Sequence, residues 1–229
     1  MDYHQTHEPG LYIVGTPIGN RADLSIRAVA LLKQAHLIFA EDTRHTRKLL
    51  EPYEITTHCV SCHKFNEASR IETINAALQA GQTLVLVSDS GMPGVSDPGS
   101  RIVRACREAG MLVSVIPGPS AVTSAIALSG WGDKGFIFDG FLSHKSVARQ
   151  KQLGIYVGES RAVVLFESPH RIIRFLEDVR DILGERPVFI GRELTKKFEE
   201  TCCGSAQELI DYFSDRAIKG EFVIVLAAA

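Results

Sequence analysis

With 229 residues, 45% of them hydrophobic, the chain can bury a real core and is long enough for one large domain or two of about 100 residues. Its formal charge of -2 excludes a globally basic nucleic-acid binder and confines any RNA or DNA contact to one region of the surface. Five cysteines, an odd number, argue for reduced thiols rather than a disulfide framework. The opening MDYHQTHEPG has no cationic segment ahead of an apolar core, and no apolar stretch nears the roughly 18 residues of a membrane span, so a soluble cytoplasmic protein is expected.

Short apolar strands alternate with amphipathic helical segments from the start, the rhythm of βαβ units. The pattern predicts a strand at Leu11 to Val14, a helix near Leu24 to Gln34, a strand at His36 to Ala40 and a helix over Thr43 to Tyr53. It continues through an apolar stretch near His58 to Ser61, a helix over Glu67 to Ala80, the strand Leu84 to Val87, a helix over Ser100 to Ala109, and Leu112 to Ile116. Gly81 and Gly110 stand where helix C-caps take glycine. Pro117-Gly118-Pro119-Ser120 interrupts the rhythm, because proline denies its predecessor the helical region and cannot extend a ladder. A domain boundary is placed there, giving domains over 1–117 and 118–229.

Beyond it the sequence predicts a helix over Ala121 to Leu128, strands near Phe136 to Phe141 and Ala162 to Phe166, and a helix from Pro169 to Leu183. Val188 to Arg192, a polar strand near Phe198 to Cys203, a helix over Ala206 to Arg216 and a strand at Phe222 to Leu226 complete it. Strands with little helix between them, around Val188 to Cys203, suggest an antiparallel pair. The fold class is therefore α/β: an N-terminal, mostly parallel sheet with flanking helices and a C-terminal mixed sheet with helices.

Three loops follow strands of the first half: Gly15-Thr16-Pro17-Ile18-Gly19-Asn20, Ser88 to Gly99, and Pro117-Gly118-Pro119-Ser120-Ala121. Parallel strands would open all three at one edge, where ligands of open α/β sheets bind. A phosphate cradle wants successive backbone N–H groups and often a lysine, whereas these loops carry prolines and no lysine. Their rigid turns suit walls around a flat adenosine, with Asp89 or a hydroxyl for polar groups and little positive charge to repel a cation. Ordinary βα turns are the alternative for any single loop.

Other polar clusters lie at predicted strand ends. Glu41-Asp42-Thr43-Arg44 sits where a strand becomes a helix, with Asp42 or Thr43 able to cap it, and Arg44, Arg47 and Lys48 share one helical face as a phosphate patch or a solvated face. Glu167-Ser168-Pro169-His170-Arg171 follows an apolar strand, with Pro169 fitting the first helical turn and leaving Glu167 and Ser168 in the loop; Arg171 paired with a carboxylate is the plainer reading. Arg192 and Lys196 belong to a charged strand end, either a phosphate contact or a lysine-blunted edge. Asn66 opens a helix as a candidate cap close to His63. Cys59-Val60-Ser61-Cys62-His63 spells a haem-attachment string, but that needs an exported chain, and no zinc-type ligand spacing completes it; packing thiols are expected and no metal site.

From Leu11 to Leu226, the segments LYIVGTPIGN, AEDTRHTRKLL, HKFNE, LVSDSGMPGVSDPG, PGPSA, FESPHR, RELTKKFEE and GEFVIVL occur in an order and spacing that resemble the ribosomal-RNA branch of the tetrapyrrole-methylase-like, or class III, S-adenosylmethionine methyltransferases. The resemblance implies methyl transfer to a cytidine ribose 2'-hydroxyl of 16S-type ribosomal RNA or the small subunit, in a homodimer, with the cofactor in a cleft between the domains. It implies cofactor contacts at Gly15, Thr16, Pro17, Asp89, Ser90, Gly91, Pro93, Pro117, Gly118, Ser120 and Ala121. Asp42, Arg44 and Glu167 become catalytic candidates, and His63, Asn66, His170, Arg171, Arg192 and Lys196 substrate-side candidates.

The chain departs from the family pattern at Ser90-Gly91-Met92-Pro93, where Ala-Gly-Thr-Pro is usual, and at Ser143-His144, where a proline is usual; neither change removes a charged group. Many members also continue past the GEFVIVL strand into a small helical extension, which bears on RNA docking. Methyl transfer from a sulfonium is an in-line displacement without need of a metal, so alignment matters most, and several carboxylates or histidines can take the ribose proton without the sequence choosing among them. Two further readings stay open: a tetrapyrrole or protein-histidine methyltransferase of the same fold, and a non-catalytic ribosome-associated module.

Overall fold

The computed structural model describes residues 7–229 and divides them into two compact units, the first ending at Ser120 and the second beginning at Ala121. In the first unit, strands β1 (Gly10–Val14), β2 (Leu37–Ala40), β3 (Cys59–Ser61), β4 (Thr83–Val87) and β5 (Val113–Ile116) form one sheet in the order β3-β2-β4-β1-β5. Every pairing in it is parallel. The helices between them are α1 (Ile26–Gln34), α2 (Thr43–Leu50), α3 (Glu67–Gln79) and α4 (Ser100–Glu108).

The period-two alternation of each strand explains the layering. Leu11, Ile13, Phe39, Leu84 and Leu86 pack with Ile74 and Leu78 of α3 and with Ile102 and Cys106 of α4. Tyr12, Val14, Ile38, Ala40, Val85 and Val87 pack on the other face with Ala28, Leu31 and Leu32 of α1 and with Leu50 of α2. Strands covered on both faces read as unbroken apolar runs, which is what LYIV and LVLV are. Neighbouring strands β1 and β4 therefore send their chains to opposite faces, and their carboxyl ends diverge at a topological switch point, the usual ligand-binding position of an open α/β sheet.

In the second unit, β6 (Phe136–Phe141), β7 (Ala162–Glu167), β8 (Val188–Arg192), β9 (Glu200–Gly204) and β10 (Phe222–Leu226) form a sheet in the order β6-β7-β10-β8-β9. It is mixed: β6 and β7 are parallel and the remaining pairings antiparallel. Val163, Leu165, Val188, Ile190, Phe222, Ile224 and Leu226 meet α6 (Ser146–Gly154), α7 (Ile172–Leu183) and α8 (Ala206–Ser214) on one face. Helix α5 (Ala121–Ser129) lies against β7, β8 and β10.

Several boundaries differ from the sequence expectation. Helix α2 stops at Leu50, because Pro52 turns the chain into a single 3-10 turn over Glu51–Tyr53. Helix α7 starts at Ile172 rather than Pro169; Ser168 to Arg171 form a turn in which the His170 N–H donates to the Ser168 hydroxyl (3.3 Å) and the Arg171 N–H to the Ser168 carbonyl (3.0 Å). Strand β9 begins at Glu200 and α8 ends at Ser214. Helix α6 was not expected at all. Its buried face includes Arg149, ion-paired at 2.5 Å with the equally buried Asp178 of α7, so a charged residue holds a position where pattern reading looks for leucine.

Candidate functional site

The loops after β1, β4 and β5 meet at the carboxyl edge of the first unit's sheet. Thr16 and Gly91 exchange two backbone hydrogen bonds (2.9 and 3.1 Å), an isolated antiparallel bridge that joins the first loop to the second. The buried Thr16 hydroxyl donates to the Ser88 carbonyl at 3.2 Å. Gly91 has φ +78, a left-handed conformation that a side chain would strain. Gly118 lies so close to Gly15 that a Cβ on Gly118 would stand 2.7 Å from the Gly15 carbonyl carbon and oxygen, so the third loop abuts the first through bare backbone. Pro93 is buried and Pro17 half-buried, while Pro117 is exposed; Ser90 accepts the Ser88 hydroxyl at 3.3 Å. Ser120 closes the first unit and Ala121 opens α5 of the second.

The rim of this corner is acidic. The Asp89 carboxylate accepts the Asp42 N–H at 3.0 Å, tying the end of β2 to the end of β4. Burial raises the Glu41 carboxyl above its ordinary value and the Asp89 charge adds to this, while a hydrogen bond from the Asp89 backbone and the nearby His63 and Lys64 oppose it. Asp97 is pushed up to about 6, first by burial and then by the Glu41 charge. Glu41 and Asp97 were not singled out from the sequence as site residues. Their only sequence signal is position, Glu41 directly after the apolar run of β2 and Asp97 within the Ser88 to Gly99 loop.

Asp42 is the N-cap of α2: its carboxylate accepts the Arg44 N–H (2.8 Å) and pairs with the Arg44 guanidinium (2.8 Å). These hydrogen bonds hold it well below the usual carboxylate range, so it anchors Arg44 and is a weak proton acceptor. The Arg44 side chain is 86% exposed. Asn66 precedes α3, but its side chain does not cap the helix; its Oδ1 accepts the His63 N–H at 2.7 Å and fixes the turn between them. Cys59 and Cys62 are buried, and burial pushes the Cys62 thiol up to about 11, as expected of packing thiols. Among the described residues, no group of three or more His, Cys, Asp and Glu is arranged to hold a metal ion.

In the second unit, Glu167 ends β7 with a fully buried side chain. Its Oε1 pairs with Arg171 (2.6 Å) and accepts the Ser168 N–H (2.6 Å), whereas the buried Oε2 has no hydrogen-bond partner. His170 is exposed on the intervening turn. Across the sheet, Phe222 of β10 stands between Glu167 and Arg192, which places both at one edge. Arg192 is engaged by Glu200 (2.5 Å) and by the Lys219 carbonyl (3.0 Å), and Lys196 by Glu193 and Glu221 (2.8 Å each). Thr195, with φ +67, buries a hydroxyl that also has no partner.

A family model described as "Tetrapyrrole (Corrin/Porphyrin) Methylases" matches residues 10–210, which is most of the chain. The chain belongs to this family. Among its relatives, the "Ribosomal RNA small subunit methyltransferase I" of a Synechocystis species is 47% identical over 96% of this chain and 79% of its own length. The protein of the same name from Thermotoga maritima is 44% identical over 95% of this chain and 97% of its own. The crystal structure of uroporphyrin-III C-methyltransferase from Thermus thermophilus, complexed with S-adenosyl homocysteine, superposes with a TM-score of 0.65 at 19% identity, covering 95% of this chain and 97% of that one. At that identity the likeness concerns the fold, and it confirms for this family member the two-sheet α/β architecture expected from the sequence.

Proposed function

We propose that this family member transfers a methyl group from S-adenosylmethionine to the ribose 2'-hydroxyl of a cytidine in small-subunit ribosomal RNA, as a cytoplasmic homodimer. The observation that carries the reading is the corner at the switch point, where bare backbone at Gly15, Gly91 and Gly118 meets an acidic rim and none of the three loops holds a lysine or arginine. Such a corner fits a flat adenosyl group carrying a cationic sulfonium and opposes a triphosphate. Ribosomal RNA as the acceptor is supported by the names of relatives that align over nearly the whole chain.

Gly15, Thr16, Pro17, Asp89, Ser90, Gly91, Pro93, Pro117, Gly118, Ser120 and Ala121 would hold the cofactor, which when bound supplies an electrophilic methyl group. The chain's own residues then have to orient the ribose, exclude water and take one proton. Asp97 suits the last task, because a carboxyl titrating near 6 is ionised at neutral pH yet remains more basic than an ordinary aspartate. Arg44, held by Asp42 and open to solvent, is placed for a phosphate. His63 and Asn66, and in the second unit Glu167, His170, Arg171, Arg192 and Lys196, supply further polar contacts to substrate.

The test is transfer of tritium from labelled S-adenosylmethionine to small ribosomal subunits that lack the modification, followed by nucleoside analysis. Label in cytidine ribose is expected. Label confined to a base, or no transfer to RNA together with transfer to an added tetrapyrrole, would overturn the assignment.

A further inference from the structure

Phe65 is 85% exposed, more than any other large apolar side chain among the described residues. A solvent-facing phenyl ring is ordinary on a loose loop, but this one is mounted on a tightly braced turn at the carboxyl end of β3. The His63 N–H donates to Asn66 Oδ1 (2.7 Å), the Phe65 N–H to His63 Nδ1 (3.3 Å), and Asn66 Nδ2 and Arg70 Nε both to the Ser61 carbonyl (3.3 and 3.0 Å). Behind the turn, the buried Glu67 accepts the Gly99 N–H at 2.7 Å, which anchors it to the loop after β4.

The ring also has charged company. Lys64 Nζ lies 4.9 Å from the ring centroid, and the His63 imidazole stands edge-on at 6.0 Å. His63 and Lys64 both act electrostatically on Glu41, so the turn faces the acidic rim described above. A rigid exposed aromatic beside a lysine, at the edge where the acceptor has to arrive, has the composition of a single-strand nucleic-acid contact. Such contacts stack an unpaired base on an aromatic face and meet the adjoining phosphate with a cation.

We propose that Phe65 is a stacking platform for an unpaired base of the RNA substrate and that Lys64 meets a phosphate next to that base. The inference rests on the RNA reading above. It adds two residues to the substrate side and implies that the acceptor region is recognised unstacked, since a phenyl face is available only to a base that has left its neighbours.

The full-length protein is assayed with unmodified small subunits and S-adenosylmethionine, while cofactor affinity is measured separately by calorimetry. Phe65→Ala is expected to lower kcat/KM by about 5- to 150-fold, mainly through KM, with cofactor affinity unchanged; Phe65→Trp is expected to retain activity. Lys64→Ala should reduce the slope of log affinity against log salt by about 1. Ile155→Ala, which removes another highly exposed apolar side chain, at the C-cap of α6 in the second unit, should leave activity unaltered. If the wild type methylates the subunits and Phe65→Ala does so equally well, or if Phe65→Leu restores activity as fully as Phe65→Trp, the stacking proposal falls alone. If the wild type transfers no methyl to RNA, the functional reading fails and the proposal falls with it.

Discussion

Replacing Gly118 by alanine tests whether the corner between β1, β4 and β5 is built by backbone contact. The added Cβ would lie 2.7 Å from the Gly15 carbonyl carbon and oxygen and 2.8 Å from its Cα, against the 3.4 Å at which ordinary contact begins, so the two loops must part by about 0.7 Å. All three atoms are backbone, so no side chain can swing aside. Gly118 is not in the left-handed region, and alanine can adopt its backbone conformation, so the clash is isolated from conformational strain. Overpacking of this kind costs about 1–3 kcal/mol. At roughly 4 °C per kcal/mol for a unit of this size, Tm should fall by about 4–12 °C. Displacing one wall of an aligned site by most of an ångström should cost on the order of 10- to 100-fold in kcat/KM. Gly158→Ala is the matched control: a Cβ there meets nothing within 4 Å, the backbone is not left-handed, and a stabilisation of about 0.4–1 kcal/mol is expected from the stiffer unfolded chain. A methyl-transfer assay with S-adenosylmethionine and a thermal melt measure both effects. Wild-type kcat/KM and Tm in Gly118→Ala would refute the view that this backbone contact shapes the site.

The pH dependence of stability should carry the signature of Asp97. Its carboxyl is raised from the ordinary 3.8 to about 6, so between about pH 4 and pH 6 the folded chain binds more protons than the unfolded one, and this group's contribution makes stability fall as pH rises through that window. Asp97→Asn removes the effect: thermal melts should show the variant gaining on the wild type from pH 4 to pH 7, and a constant difference would sink the assignment. In the second unit, Asp178→Ala leaves the Arg149 guanidinium buried without its carboxylate and should cost about 3–5 kcal/mol in chemical denaturation; a loss below about 1 kcal/mol would contradict the pairing.

What was legible in the sequence follows from the physics of each element. The strands of the first unit are apolar runs bounded by glycine, proline and polar turns, because both faces of their sheet are covered, and the loops at their carboxyl ends were readable for the same reason. Helix α6 was illegible because its buried face includes Arg149, whose compensating carboxylate is supplied by α7 far along the chain. The start of α7 was misplaced because Pro169 suits a first helical turn, yet Ser168 uses its hydroxyl and carbonyl to close a separate turn before the helix begins. Glu41 and Asp97 were missed because their significance depends on β2 lying beside β4, a pairing between segments more than 40 residues apart that no local pattern announces.

The distribution of charge has a consequence for how a chain of net charge -2 can serve a polyanionic acceptor. In the second unit, Arg171, Arg192 and Lys196 are each engaged by carboxylates, so any contact they make with phosphate has to compete with an existing partner. At the edge of the first unit, the acids Glu41, Asp89 and Asp97 gather at the ends of β2 and β4, while Arg44 and Lys64 extend into solvent from the starts of α2 and α3. A cationic methyl donor and a polyanionic acceptor impose opposite demands on one edge, and this arrangement meets both by separating the charges: carboxylates inward, where a sulfonium is favoured and a proton can be received, and cations outward, where phosphates arrive. Acceptor binding through these outward cations should weaken as salt rises, whereas its specificity has to come from contacts such as base stacking that do not depend on net charge.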